Sequence, residues 1–178
     1  MTGKGSTLDI FRIHGGNRLN GSVKISGSKN GALPILFASL LCDGEVTLQN
    51  VPIALRDIGM SLRILQTLGV ESEVAEDGSV SLQVTDSGNT RADYKQVSQM
   101  RASICSLGPL LARRGEAIVS LPGGCNIGDR PIDLHIHGME ALGAKVTIEN
   151  GYVMAHAPRL RGGTVYLSGP MGSTVLGT

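Results

Sequence analysis

Gly21-Ser-Val-Lys-Ile-Ser-Gly27 is echoed 142 residues further on by Gly163-Thr-Val-Tyr-Leu-Ser-Gly169, and 142 is twice 71. A single shift of 71 lays Leu40-Leu41 on Leu111-Ala112 and Gly44 on Gly115. Shifts of 74 and 73 lay Leu68-Gly69-Val70 on Leu142-Gly143-Ala144 and Asp77-Gly78-Ser79-Val80 on Asn150-Gly151-Tyr152-Val153. Small insertions account for the drift. Matches recurring in order at nearly one spacing indicate a duplicated supersecondary unit.

Each unit reads as strand, helix, strand, helix, strand, strand. In the first, residues 22–26 alternate as a strand does. Residues 30–42 carry Leu33, Phe37, Leu40 and Leu41 at helical spacing, with Pro34 near the helix start, where a missing N–H costs least. Residues 45–50 read as a strand. Residues 57–68 read as a helix with Ile58, Leu62, Leu65 and Leu68 on one stripe, stopped by Gly69. Residues 70–75 and 79–84 pair across Glu76-Asp77-Gly78. The second unit repeats the order: a helix over 97–113, a strand over 117–121, a helix over 133–142, and a hairpin of 144–149 with 152–157 turned by Asn150-Gly151. The implied organisation is an N-terminal segment (1–20), two complete units (21–92 and 93–162), and the opening of a third (163–178) that stops within its expected first helix. The chain therefore reads as incomplete.

Composition narrows the function. Hydrophobic residues make up 41% of the 178 positions, enough for a core, but aromatics only 3%, so that core is aliphatic. The formal net charge of +1 gives no reason to expect nucleic acid or an anionic membrane. Cys42, Cys105 and Cys125 are odd in number, widely spaced and without CxxC spacing, which fits a reducing compartment better than a disulfide framework. No run approaches the roughly 18 apolar residues of a membrane helix, and residues 1–10 lack the apolar region of a signal peptide. The expected location is the cytoplasm.

The repeat superposes Lys29-Asn30, Met100-Arg101 and Met171-Gly172, each at the start of the first helix of its unit. Helix starts present unpaired N–H groups and partial positive charge, so three of them around a pseudo-threefold axis would suit an anion, with Lys29 and Arg101 adding full charge. The plain alternative is that both are solvated surface cations. Pro122-Gly-Gly-Cys125-Asn-Ile-Gly128-Asp-Arg130-Pro131 reads as a glycine-rich loop carrying an exposed thiol, and Arg130 nearby would favour the thiolate. An incidental loop cysteine is the competing reading. Cys42 and Cys105 read as small buried residues. Arg130 suits a phosphate; Asp133 suits either a helix N-cap or a ligand's N–H donors; Asp57 reads as a cap or surface residue. His135 and His137 are two apart, poor spacing for a metal on one helix face, and no metal or other cofactor is expected.

Ile25-Ser-Gly-Ser-Lys29-Asn30-Gly-Ala-Leu-Pro34, Met100-Arg101-Ala-Ser103 and Leu121-Pro-Gly-Gly-Cys125-Asn-Ile-Gly-Asp-Arg130-Pro-Ile-Asp-Leu-His135 together resemble the UDP-N-acetylglucosamine 1-carboxyvinyltransferase family of enolpyruvyl transferases, from about Phe11 to Ser168. The resemblance implies an inside-out α/β barrel of repeated βαβαββ units, incomplete in this chain. It implies transfer of an enolpyruvyl group from phosphoenolpyruvate to the 3-hydroxyl of UDP-N-acetylglucosamine with release of phosphate, an early step of peptidoglycan synthesis. By resemblance, Lys29 and Asn30 bind phosphoenolpyruvate and Arg101 lies near the phosphate and the nucleotide sugar. By the same resemblance Cys125 would be the loop acid and the target of fosfomycin. The resemblance also implies that Arg130, Pro131, Ile132, Asp133 and Leu134 would line the nucleotide-sugar site, with Asp133 and its neighbours reading the uracil, and that Met171 and Gly172 would fall at the diphosphate contact. A second domain, absent from this chain, would supply further groups, so the 178 residues alone are expected to be inactive.

Three departures stand out. Pro170-Met-Gly-Ser-Thr174 replaces the family's Ser-Val-Gly-Ala-Thr, Cys105 stands where many members have Trp, and Asp129 puts a negative charge beside Arg130. The acceptor sugar is left open by these changes. Two other readings therefore stand beside the first: 3-phosphoshikimate 1-carboxyvinyltransferase, against which the Cys125 loop argues, and a non-catalytic nucleotide-sugar-binding paralogue.

Overall fold

The structure, a computed structural model, describes residues 10–92, 101–121 and 132–165, with the backbone alone at 101 and 102. Two small sheets and a layer of helices share one aliphatic core. The chain runs through helix α1 (Lys29–Ala38), a 3₁₀ turn η1 (Ser39–Leu41), strand β1 (Val46–Leu48), helix α2 (Arg56–Thr67) and the hairpin β2 (Val70–Val74) and β3 (Val80–Val84). It continues through β4 (Arg91–Ala92), the 3₁₀ helix η2 (Arg101–Ser106), α3 (Leu107–Arg114), β5 (Glu116–Ser120), α4 (Asp133–Ala141) and the hairpin β6 (Lys145–Glu149) and β7 (Tyr152–His156).

The two sheets are wired alike. The first has the order β1-β3-β2 and the second β4-β5-β7-β6, so β5, β7 and β6 repeat the first three in the same antiparallel arrangement. The glycines expected to correspond behave alike where they close helices and hairpins: Gly69 and Gly143 have φ of +80° and +93°, Gly78 and Gly151 +82° and +79°. Only glycine takes such angles without strain. Asn150 joins Gly151 in the left-handed region, as an Asn-Gly hairpin requires.

Two expectations need correction. Residues 22–26 form no strand. In the second sheet β4 lies parallel along β5, whereas residues 22–26 pair with no strand among the described residues. Ile10, Phe11, Ile13, Leu19, Val23 and Ile25 are each more than three-quarters exposed. With nothing buried, nothing offsets the entropy of ordering a strand. The helix expected over 97–113 is, in its described part, 3₁₀ over Arg101–Ser106 and α only from Leu107. Pro109 explains the change: it has no N–H for the carbonyl of Cys105, and its ring crowds that carbonyl, so regular α-helix cannot run through. The other elements fall within a few residues of their expected bounds.

The core joins both units. Leu36, Phe37 and Leu40 from α1 and η1, Ile58, Ile64 and Leu65 from α2, and Leu107, Leu110 and Leu111 from α3 form one cluster with Leu82, Val119 and Val153 of the sheets. Helix α1 packs against α2 and η2, and η1 against α3. The start of α1 is thereby held among elements of both units.

Candidate functional site

Lys29 is the first residue of α1, and the helix begins there for a local reason. Ser28 has extended backbone geometry, and its hydroxyl accepts a hydrogen bond from the Gly31 amide at 3.2 Å, capping the free helix end. Pro34 sits further along α1 than the first turn, so the carbonyl of Asn30 lacks its usual helical donor, a cost absorbed by the packing of Leu33, Leu36 and Phe37.

Gly27 lets this helix start approach the chain between β1 and α2. A methyl group at Gly27 would lie 1.8 Å from the carbonyl oxygen of Asn50 and 3.1 Å from Cδ of Pro52. Asn50 is itself left-handed, with φ of +56°. From that turn the chain enters α2, where Leu55 donates to the Pro52 carbonyl. The close approach brings together two helix starts, and with them two opposite charges. The Lys29 ammonium donates to Oδ2 of Asp57, in the first turn of α2, at 2.6 Å, with both side chains partly exposed. Beside them, Gly27, Ser28, Gly31, Ile35, Thr47 and Asn50 line an open cavity of about 470 Å³.

The other expected site residues divide into those the structure describes and those it does not. Asn30, next to Lys29, is exposed. Arg101 opens η2, which packs against α1, so its backbone lies in the element beside the Lys29 helix. Ile132 belongs to the core at 9% exposure, Asp133 is exposed and Leu134 half-buried. Asp133 is not an N-cap: Ile132 holds that position without a side-chain bond, and Asp133 lies in the first turn of α4, complementing its positive end. Cys125, Arg130, Pro131, Met171 and Gly172 lie outside the described residues. Cys42 and Cys105 are half-buried rather than buried. Burial raises the Cys105 thiol to about 11, which suits packing rather than nucleophilic chemistry.

Sequence reading missed Asp57. An Asp in the first turn of a helix has an ordinary explanation in the helix dipole. Its partner is 28 residues away on another helix, and only the packing of the two helix starts reveals the pair. Among the described residues no three His, Cys, Asp or Glu side chains gather as a metal site would need, and no helix is long and apolar enough to cross a membrane.

The architecture is that of the enolpyruvyl transferases. The chain is similar to the enolpyruvyl transferase NikO of Streptomyces tendae, with a TM-score of 0.67 at 23% identity over 84% of this chain and 32% of that one. It is also similar to an EPSP synthase from Acinetobacter baumannii, with a TM-score of 0.60 at 17% identity over 88% of this chain and 36% of that one. At those identities the likeness speaks for the fold alone: a mixed α/β, partial barrel.

Residues 13–177 match the family model of EPSP synthase (3-phosphoshikimate 1-carboxyvinyltransferase), and the chain belongs to that family. Within it, the chain is 52% identical to the UDP-N-acetylglucosamine 1-carboxyvinyltransferase of Aeromonas salmonicida over 161 residues, covering 90% of this chain and 38% of that protein. It is 52% identical to the protein of the same name from Sorangium cellulosum over 171 residues, covering 96% and 39%. The chain thus spans under two-fifths of the length of these curated relatives.

Proposed function

We propose that the protein transfers the enolpyruvyl group of phosphoenolpyruvate to the 3-hydroxyl of UDP-N-acetylglucosamine, in the cytoplasm, as an early step of peptidoglycan synthesis. The observation that carries this reading is identity above one half with relatives of that name across nine-tenths or more of the chain. The capped start of α1, with Lys29 at its first position and the Arg101 backbone in the neighbouring element, supports it as an anion-binding arrangement.

The chemistry asks for four events. A proton is added to the methylene carbon of phosphoenolpyruvate, and the sugar hydroxyl attacks the adjacent carbon as it becomes electron-poor. The hydroxyl proton passes to a base. Phosphate then leaves with its C–O bonding pair as a proton is lost from the new methyl group, restoring the double bond. Lys29, Asn30 and Arg101 would bind and neutralise phosphoenolpyruvate through these steps. The thiol of Cys125 would supply the first proton. Arg130, Pro131, Ile132, Asp133 and Leu134 would receive the nucleotide sugar, with Met171 and Gly172 at its diphosphate. The remaining groups would come from a further domain of the full-length protein.

Phosphate release by the full-length protein is the test, with phosphoenolpyruvate and either UDP-N-acetylglucosamine or shikimate 3-phosphate as acceptor. Release with the nucleotide sugar alone is expected. Release only with shikimate 3-phosphate would move the protein to the other branch of its family, and release with neither would overturn the catalytic reading.

A further inference from the structure

The Lys29–Asp57 pair is poorly explained as a stabilising device. Both side chains are about a third or more exposed, and ion pairs of that kind contribute on the order of 0–1 kcal/mol. Yet the structure holds the pair closely. Asp57 precedes Ile58, which is fully buried, and the hydroxyl of Ser61 donates to the Asp57 backbone carbonyl at 3.0 Å. The amides of Ile58 and Gly59 both donate to the Leu55 carbonyl, fixing the turn that presents Asp57. On the other side Lys29 is fixed by the Ser28 cap and by the contact of Gly27 with Asn50.

From this we infer that Asp57 is a positioning residue for Lys29, holding its ammonium in place for phosphoenolpyruvate; the inference rests on the function proposed above. An ammonium has three N–H donors. One is committed to Asp57 at 2.6 Å, which leaves two for the substrate and fixes the cone in which they point. Lysine otherwise has a long, freely rotating stem whose ordering opposes binding. Here the ordering is done before the substrate arrives, the general advantage of preorganised charge at a site where negative charge moves during reaction. Because the pair is partly exposed, an incoming anion can reach the remaining donors without first breaking a buried salt bridge.

The test is kinetic and uses the full-length protein. Asp57→Ala and Asp57→Asn are expected to lower kcat by up to about 100-fold, the cost associated with misplacing a reacting group by about 1 Å. The KM for UDP-N-acetylglucosamine and the melting temperature are expected to stay near wild type, which separates positioning from a general loss of structure. Asp57→Glu is expected to recover part of the loss. In a Lys29→Ala background, Asp57→Ala should cost nothing more, since its effect passes through the ammonium. Wild-type kcat in both Asp57→Ala and Asp57→Asn would overturn the inference. So would equal, multiplying losses in the two backgrounds. A wild-type protein without turnover would overturn the proposed function and the inference together, whereas an active wild type with indifferent Asp57 variants would overturn the inference alone.

Discussion

Arg114, the last residue of α3, donates through Nη2 to the carbonyl oxygen of Leu68 at 2.8 Å, joining the end of the second unit's first helix to the end of the first unit's second helix. The same nitrogen reaches the Asp86 carbonyl at 3.2 Å, and Nη1 donates to the Asn89 carbonyl. One guanidinium thus gathers three carbonyls from the end of α2 and the crossing between the sheets. Partial burial lowers its pKa from the usual arginine value while the charge of Asp86 acts to raise it.

Arg114→Ala should therefore destabilise the protein by about 1.5–3 kcal/mol, the worth of a hydrogen bond to a charged group. At this chain length that corresponds to roughly 2–4 °C in melting temperature per kcal/mol. Arg114→Lys should recover little, because a single ammonium cannot span the three carbonyls. Urea unfolding of the three proteins gives the comparison; an unchanged midpoint in Arg114→Ala would show that the clamp contributes nothing.

Glycine replacements should split by site. At Gly69, φ is +80° and an added methyl group would lie 2.0 Å from the Asp86 carbonyl oxygen, so Gly69→Ala should cost about 2 kcal/mol or more. Gly27→Ala meets the backbone of Asn50 at 1.8 Å and should separate the two helix starts, lowering turnover as well as stability. Gly138 lies within α4 with nothing inside 4 Å of the added carbon, so Gly138→Ala should stabilise by up to about 1 kcal/mol. Thermal melts of the three variants decide; the same sign at all three positions would contradict the contacts described.

Cys105 should resist alkylation. Burial raises its thiol from an ordinary value near 9 to about 11, so at pH 8 little thiolate forms. Iodoacetamide labelling of that residue, followed by mass spectrometry, should be slow near neutrality and accelerate as the pH approaches 11. The linked effect on stability has a definite sign. The folded state holds this proton more tightly than the unfolded state, so the contribution is fully present below about 9 and disappears as the pH rises through about 11. Fast labelling of Cys105 at pH 7 would contradict the raised pKa of its thiol. In the full-length protein, fosfomycin should instead modify Cys125 in preference to Cys42 and Cys105, with adducts on either of the latter counting against the loop thiol.

Phe37 reports on cooperativity. It is fully buried in α1, which packs on α2 of its own unit and on η2 of the next. Phe37→Ala should cost about 3–5 kcal/mol. Hydrogen exchange should then rise together in the β2–β3 and β5–β7 ladders, since both sheets rest on the same cluster. Exchange confined to the first sheet would mean that the units open separately.

Much of this arrangement is legible in the amino-acid sequence. The apolar stripes of Ile58, Leu65 and Leu68 and the turn chemistry of Asp77-Gly78 and Asn150-Gly151 mark elements through local rules, and those elements are present. What escaped depended on non-local facts. The alternation of residues 22–26 satisfies a strand pattern, but a strand exists only where another strand meets it. Pro109 changed the helix upstream of itself, through the carbonyl it crowds. Lys29 was visible as a helix-start cation because the repeat placed it there. Asp57 was not, because nothing in its own neighbourhood distinguishes it from an ordinary first-turn acid.

The common core under the two sheets also limits how such a chain can be recombined. Loops are the usual seams for exchanging segments between cousins, since little crosses them. Here the faces that would have to be re-matched are Phe37 and Leu40 on one side and Leu107 and Leu111 on the other, oil against oil. A hybrid carrying one half from a distant relative would inherit mismatched volumes within that shared core. The two sheets, alike in wiring, rest on one cluster and are obliged to change in concert.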